Sequence, residues 1–339
     1  MRWKVLRTDC ELECPTIDAE LRKRGAELVL LPDDVSDDRL KREVADADLV
    51  LMCYRPITRP IIEAGRKLKG IVKYGVGIDA IDIKAAIEQR VPVVNIPAYA
   101  EETVAEGAFL LMLALAKKLM PITREMQHAG WLWPTSVWLG SDIAEKTVGL
   151  VGLGRIGQSL ARMAGAGFRA KVVGYDPHRS TAEMAAIGVE KYDDLTAMLK
   201  ASDFVSIHAV LNHETRHLIG ERELKAMKPS AYLINVSRGE IVDEKALVRA
   251  LRENRIAGAG LDVYGNEPLA KNGHPMSDLY AMPNVILLPH LTFYTKEAMA
   301  RLERETLERC TEILEGRPVL IKSRDPRLRA QSHGVVFAD

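Results

Sequence analysis

The stretch Gly152-Leu153-Gly154-Arg155-Ile156-Gly157 constrains the fold more than any other part of the chain, because of what flanks it. An apolar run, Thr147–Val151, leads in. Gln158–Ala164 reads as a helix leading out, and a second apolar run, Lys171–Tyr175, ends at Asp176. Strand, glycine turn, helix, strand and acid in that order form the fingerprint of a dinucleotide-binding unit. Gly152 would make the tight turn, Gly154 would let the backbone approach a pyrophosphate, and Gly157 would let helix and strand pack closely. The helix N-terminus adds unpaired N–H groups and partial positive charge for the phosphates. Asp176 stands where a carboxylate can accept from the ribose hydroxyls. A 2′-phosphate there would meet like charge, which favours NAD over NADP, although Arg179 lies close enough to soften the contrast.

The 339 residues suffice for two domains of ordinary size. Lys plus Arg and Asp plus Glu each total 47, so the net charge is zero and no electrostatic case exists for nucleic acid or a membrane surface. Met1–Leu6 lacks the apolar core of a signal peptide. Gly107–Ala116 is the longest apolar stretch and is too short to span a membrane, so it is expected as a buried helix. Cys10 and Cys14 could form half of a metal site, but no second close pair follows, and reduced structural thiols are expected. These features describe a cytoplasmic protein with no metal.

Strand-like runs alternate with helix-like runs along the whole chain: Trp3–Leu6, Glu27–Leu31, Leu49–Met52, Gly70–Lys73 and Val93–Ile96, then after Asp176 Phe204–His208, Ala231–Asn235, Gly258–Leu261 and Asn284–Leu288. That alternation predicts an α/β fold with parallel sheets. The fingerprint normally opens its own domain, yet here a separate α/β unit precedes it. An insertion explains the order. Two doubly wound parallel-sheet domains are expected, with a Rossmann cofactor domain over 102–293 set into a flavodoxin-like substrate domain formed by 1–101 and 294–339. A helix is expected over Glu297–Leu314, and Asp325–Asp339 reads as a mobile polar tail. A cleft between domains is a standard ligand site.

Three segments follow predicted strands downstream of the fingerprint, and each carries one chemically useful side chain. Arg238 lies in Asn235–Gly239, Glu267 in Leu261–Pro268, and His290 in Leu288–Thr295. In a doubly wound sheet the carboxyl ends of the strands face the cofactor crevice. Hydride transfer to a 2-keto acid needs a carboxylate anchor, a group that polarises the carbonyl, and a proton donor. Arg238 can serve the first two through its planar fork. His290 can donate the proton or take it back in reverse. Glu267, paired with His290, would favour the imidazolium and hold its orientation.

With these residues in place the chain resembles the D-isomer-specific 2-hydroxyacid dehydrogenases over nearly all its length. The matching blocks are Tyr74–Asp79, Glu102–Glu106, Gly152–Gly157, Val236–Gly239, Asp243-Glu244, Leu261–Val263, Glu267-Pro268 and Pro289-His290. The resemblance implies that Arg238, Glu267 and His290 are the catalytic trio, and that the backbone at Val76 and Gly77 grips the substrate carboxylate. It implies that Asp262 binds the nicotinamide carboxamide and that Thr103 and Val236 contact the cofactor. Arg155 and Ile156 would cradle the pyrophosphate. It further implies a homodimer built largely on the cofactor domains.

Branch affinities are mixed. Phe293-Tyr294-Thr295 and Pro97-Ala98-Tyr99 look like the D-lactate dehydrogenases, in which the tyrosine matching Tyr99 touches substrate and Phe293 would add an aromatic wall. Glu101-Glu102-Thr103 and His208–Asn212 look like the C-terminal-binding protein corepressors, which bind NAD on the same fold. A dimeric NAD(H)-sensing binding protein is therefore the alternative to an enzyme. Lys73 matches a position where phosphoglycerate dehydrogenases turn arginine toward a phosphate, but is read here as a surface lysine. Trp131, Trp133 and Trp138 are expected to pack a dimer loop or reach a partner's site. His213–His217 matches a zinc-protease spelling without the helix or third ligand it needs.

Overall fold

The strands form where near-continuous apolar runs allow burial on both faces, as parallel sheets require. The computed structural model describes residues 3–338. The backbone divides into two units, Met1–Ala100 with Thr295–Asp339, and Glu101–Tyr294.

In the first unit, β1 (Lys4–Arg7), β2 (Glu27–Leu30), β3 (Leu49–Met52), β4 (Gly70–Lys73) and β5 (Val93–Asn95) form one sheet in the order β2-β1-β3-β4-β5. Every pair is parallel, and this is the flavodoxin-like order. The C-terminal helix Lys296–Leu314 starts at Thr295, whose side chain caps Ala298 N–H. Its buried Glu303 accepts from Thr16 and Ile17 N–H at 2.6 and 3.0 Å. A carboxylate thus sits at the start of helix Pro15–Lys23, where the helix dipole favours it.

In the second unit, β6 (Thr147–Val151), β7 (Lys171–Tyr175), β8 (Glu190–Lys191), β9 (Phe204–Ile207), β10 (Tyr232–Asn235), β11 (Gly258–Leu261) and β12 (Val285–Leu287) form a sheet ordered β12-β11-β10-β9-β6-β7-β8. All its pairs are parallel. The order reverses between β6 and β9, which is the switch point of a Rossmann sheet and the position of the glycine turn. Helix Glu101–Ala116 covers one face and contains the buried stretch expected at 107–116, although Leu110 points outward. No helix among the described residues is long and apolar enough to cross a membrane.

Three expectations change. The strands end one residue before Leu31, Ile96, His208 and Leu288, although the N–H groups of these four still donate to the carbonyls of Arg7, Gly75, Val151 and Leu261. Lys73 is not a surface lysine. It is buried, its ammonium donates to the Cys53 carbonyl and lies 3.3 Å from Cys53 Sγ, and it sits over the Tyr54 ring. Backbone carbonyl and ring face replace the water that an ammonium otherwise requires.

The segment after Asp325 is likewise no mobile tail over its described length. It forms a short helix, Pro326–Arg329, and β14 (Val335–Phe337), which pairs with β13 (Val319–Ile321). Leu328 and Gln331 are buried. The Gln331 amide accepts from Val93 N–H at 2.7 Å and donates to Val93 C=O at 2.9 Å. It mimics one residue of an added strand on the edge strand β5, satisfying backbone groups that an edge leaves open. Gln331→Ala should therefore destabilise the protein by about 1–3 kcal/mol, the cost of stranding buried partners. Denaturant unfolding will read this; an unchanged midpoint would show that water replaces the amide at no cost.

Candidate active site

Each glycine of the Gly152–Gly157 turn has its own geometric reason. Gly152 has φ +88, and a Cβ there would lie 2.7 Å from Ala209 N, so only glycine fits between β6 and the loop after β9. Gly157 lies against the Gly152 carbonyl, 2.4 Å from where its Cβ would be, so any side chain would push the helix off the strand. Gly154 has open space where a Cβ would go. It precedes helix Arg155–Arg162, whose N-terminus has no side-chain cap. Tight glycines on both sides of an open one, at an uncapped helix start, fit a pyrophosphate. Arg155 lies beside this turn and pairs with Glu101 at 2.9 Å, while Ile156 is half-exposed.

Asp176 at the end of β7 is tied to the same turn. Its carboxylate accepts from Leu153 N–H at 2.8 Å and His178 N–H at 2.9 Å. Each oxygen keeps a lone pair, as a ribose-diol acceptor requires. His208, after β9, bonds Ser206 Oγ through Nε2 at 2.9 Å, and burial pushes its pKa down to about 3. The ring beside the turn is therefore neutral.

The second cluster in the same unit is built from β10, β11 and β12. Asn235 closes β10 and braces the next loop: its side chain donates to Arg238 C=O at 2.9 Å and accepts from Ser237 N–H at 3.0 Å. Arg238 Nη1 donates to Ser237 C=O at 2.7 Å. Gly239 then packs directly on the backbone that leads to Glu267; a Cβ would fall 1.9 Å from Tyr264 C and 2.1 Å from Gly265 N. That contact draws the Arg238 and Glu267 loops together. Gly265 N–H is also held by Glu244 at 2.6 Å, and Tyr264 Oη donates to Leu288 C=O at 2.8 Å.

Glu267 joins these loops to His290. Its Oε2 meets His290 Nδ1 at 2.8 Å, and its Oε1 accepts from Tyr264 N–H at 2.9 Å. Burial works against ionisation of Glu267. The His290 hydrogen bond and charge, the Tyr264 N–H and the Arg238 charge outweigh it, so its pKa falls below the usual glutamate value. Asp262, fully buried after β11, accepts from Leu291 N–H at 2.8 Å and Thr292 N–H at 3.0 Å, fixing the turn behind His290. The Phe293 ring stands edge-on to His290, with centroids 6.3 Å apart. Arg238, Glu267, Asp262, His290 and Phe293 thus meet in one cluster.

Val236 is buried after β10, and Thr103 is buried in the first turn of helix Glu101–Ala116. In the other unit, Val76 and Gly77 follow β4; Val76 is exposed, and its carbonyl accepts from Asn95 Nδ2 at 2.6 Å. Tyr99 is buried, with its carbonyl bonded to Arg301 Nε at 2.7 Å. Sequence reasoning missed Asn235, whose side-chain bonds are local, and Tyr264, Thr292 and Gly107, each of which acts through a long-range contact. Glu244 stood in a matching block without a role. His213–His217 forms turns and no helix, so the spacing of a zinc-protease helix is not built. All four cysteines are free thiols.

Fold and clusters together define a dinucleotide-binding α/β protein with a paired acid and base. The model of the D-isomer specific 2-hydroxyacid dehydrogenase NAD binding domain matches residues 109–292. A glyoxylate reductase of Korarchaeum cryptofilum is 40% identical over 268 residues, 78% of this chain and 79% of that one. The D-lactate dehydrogenase of Aquifex aeolicus complexed with NAD and lactic acid shares 30% identity at a TM-score of 0.82, covering 92% of this chain and 96% of that one. An NADPH-dependent glyoxylate/hydroxypyruvate reductase of Sinorhizobium meliloti in complex with NADP and malonate shares 28% at a TM-score of 0.78, covering 93% and 94%. The chain belongs to the D-isomer-specific 2-hydroxyacid dehydrogenase family.

The Gly239 contact yields a direct expectation. Gly239→Ala must push the Arg238 loop off the Tyr264 backbone, and a misplacement near 1 Å should lower turnover by roughly 10²-fold. Steady-state kinetics beside a thermal melt will show it. Turnover at the wild-type rate would mean that this contact does not set the distance between Arg238 and Glu267.

Proposed function

We propose that this protein reduces a small 2-keto acid to the D-2-hydroxy acid with NADH. The reading rests chiefly on the 2.8 Å His290–Glu267 pair with Arg238 acting on the same carboxylate. A protein that only sensed the dinucleotide would have no chemical need for that trio, which argues against the corepressor-like alternative. The bound dinucleotide supplies the hydride to the keto carbon. Gly154, Arg155, Ile156 and the helix N-terminus hold its pyrophosphate, and Asp176 its ribose. Asp262 would bind its nicotinamide carboxamide, and Thr103 and Val236 would contact the cofactor. Arg238 anchors the carboxylate and polarises the keto oxygen through its fork. His290, oriented through Nδ1 by Glu267, would give a proton from Nε2 to that oxygen as it becomes a hydroxyl. The ionised Glu267 offsets the positive charge of the protonated ring.

Val76 and Gly77 offer backbone groups to the substrate carboxylate, and Tyr99 and Phe293 supply aromatic surface. Lys73 already serves the Cys53 carbonyl, which argues against a phosphorylated side chain. Similarity to glyoxylate reductases makes glyoxylate the first acid to try. NADH is preferred over NADPH in this reading because Asp176 would face a 2′-phosphate with like charge.

Glyoxylate, hydroxypyruvate, pyruvate, phenylpyruvate and 4-methyl-2-oxopentanoate should be assayed with NADH and NADPH in parallel. We expect reduction of the smaller acids with NADH. His290→Ala should lower kcat by about 10²-fold or more while NADH still binds, the scale for losing an acid–base group. Tight NADH binding without turnover on any acid would favour the sensor.

The same reading includes a homodimer. No residue of helix Leu119–Ala129 is buried, and Trp131, Trp133, Val137 and Leu139 beyond it are exposed. Large apolar side chains exposed along one short stretch are normally covered, and a second copy is the cover that the family resemblance implies. Sedimentation should give a dimer that Trp131→Ala with Trp133→Ala weakens; a wild-type monomer at micromolar concentration would remove the assignment.

A further inference from the structure

The backbone of His290 has φ +57, a left-handed conformation uncommon for any residue but glycine. Neighbouring structure has to impose it. Two residues on, Thr292 is held from both sides. Its N–H and its hydroxyl both donate to Asp262 Oδ2, at 3.0 and 2.5 Å. Its methyl side fills a notch in helix Glu101–Ala116 at Gly107, where a Cβ would lie 2.6 Å from Thr292 Cβ and 2.7 Å from Cγ2. A glycine inside a helix lowers its stability, and here the close approach explains its presence. Only a side chain with both a hydroxyl and a methyl on Cβ satisfies the two sides together.

We propose that Thr292 is a positioning residue for the proton donor: clamped between Asp262 and Gly107, it fixes the left-handed turn that presents His290 to Glu267. The proposal rests on the reading of His290 given above and adds a residue that acts only through it. The hydroxyl is the decisive half of the clamp. Asp262 is fully buried, and a buried carboxylate needs donors to stay ionised. Burial raises its pKa, against the Thr292 hydroxyl, the Thr292 and Leu291 N–H groups and the His290 charge. Losing the hydroxyl removes one of three donors and frees Thr292 to rotate within the turn. His290 Nδ1 then drifts from Glu267, and Nε2 from the position where it meets substrate.

Three variants separate this from plain packing. Thr292→Val keeps the shape and loses the hydroxyl, Thr292→Ser keeps the hydroxyl and loses the methyl, and Thr292→Ala loses both. Thr292→Val should lower kcat about 10-fold or more, within the scale of small misplacements of a reacting group. Its KM for the keto acid should stay within about twofold, because no substrate group touches Thr292 in this account. Thr292→Ser should recover most of kcat, and Thr292→Ala should be no better than Thr292→Val. Equal kcat losses in Val and Ser that follow the fall in melting temperature would mean packing alone and would overturn the proposal. So would wild-type kcat in Thr292→Val. A crystal structure of Thr292→Val decides the matter independently of turnover. His290 still at φ near +57 with its 2.8 Å bond to Glu267 refutes the clamp, and a rotated, lengthened pair supports it. If the wild type reduces no 2-keto acid, the functional reading above falls, and this crystallographic comparison still judges the clamp.

Discussion

Parallel strand direction is the constraint on which the site depends. In a sheet whose strands all run one way, every loop that follows a strand emerges on the same edge. Gly152 follows β6, Asp176 ends at β7, Arg238 follows β10, Asp262 follows β11 and His290 follows β12. These residues are far apart in the chain, and no local propensity brings them together. The ladder does so, and with regular register: Val151 pairs with Tyr175, and Leu261 with both Asn235 and Leu287. A carboxylate, a guanidinium and an imidazole each placed a residue or a few beyond a strand are thereby delivered to one edge, before any of them bonds another.

Strand direction brings the loops to the same edge but does not set distances below 3 Å. Absent side chains do that. Gly152 and Gly157 bring helix, strand and neighbouring loop together around the nucleotide turn, and Gly239 seats the Arg238 loop on the Tyr264 backbone. In each case a single Cβ would collide with backbone, which cannot rotate away as a side chain can. Polar braces then hold what the glycines admit: Asn235 on the Arg238 loop, Glu244 on Gly265, Asp262 on the His290 turn. The reactive side chains are thus supported by neighbours that take no part in the chemistry, as preorganised sites require.

This division explains what could be read from the chain. Strand runs such as Leu49–Met52, Gly70–Lys73, Thr147–Val151 and Lys171–Tyr175 were legible to the residue, because two-sided burial writes itself as an unbroken apolar run. Arg238, Glu267 and His290 were legible as neighbours at one sheet edge, since each follows such a run. What did not show was whatever depends on one long-range contact. Gln331 joins Val93 across 238 positions of sequence, and nothing local distinguishes it from a glutamine in a loose tail. Lys73 looked solvated because its partners are a carbonyl and a ring face, neither of which leaves a charge pattern. Thr292 carried no reading of its own, and Gly107 only opened an expected buried helix, although each explains the other.

The stretch 290–294 has a double task, which bears on how substrate choice can vary on this fold. His290 faces Glu267, Leu291 and Thr292 hold Asp262, and Phe293 stands edge-on to the His290 ring and to Tyr294. His290 and the aromatic ring of Phe293 are therefore only three residues apart in one turn. A change of side-chain volume at Phe293 presses on the His290 ring. A change at Thr292 alters the backbone from which Phe293 projects. Changes of volume in this aromatic wall therefore act on the His290–Glu267 pair as well.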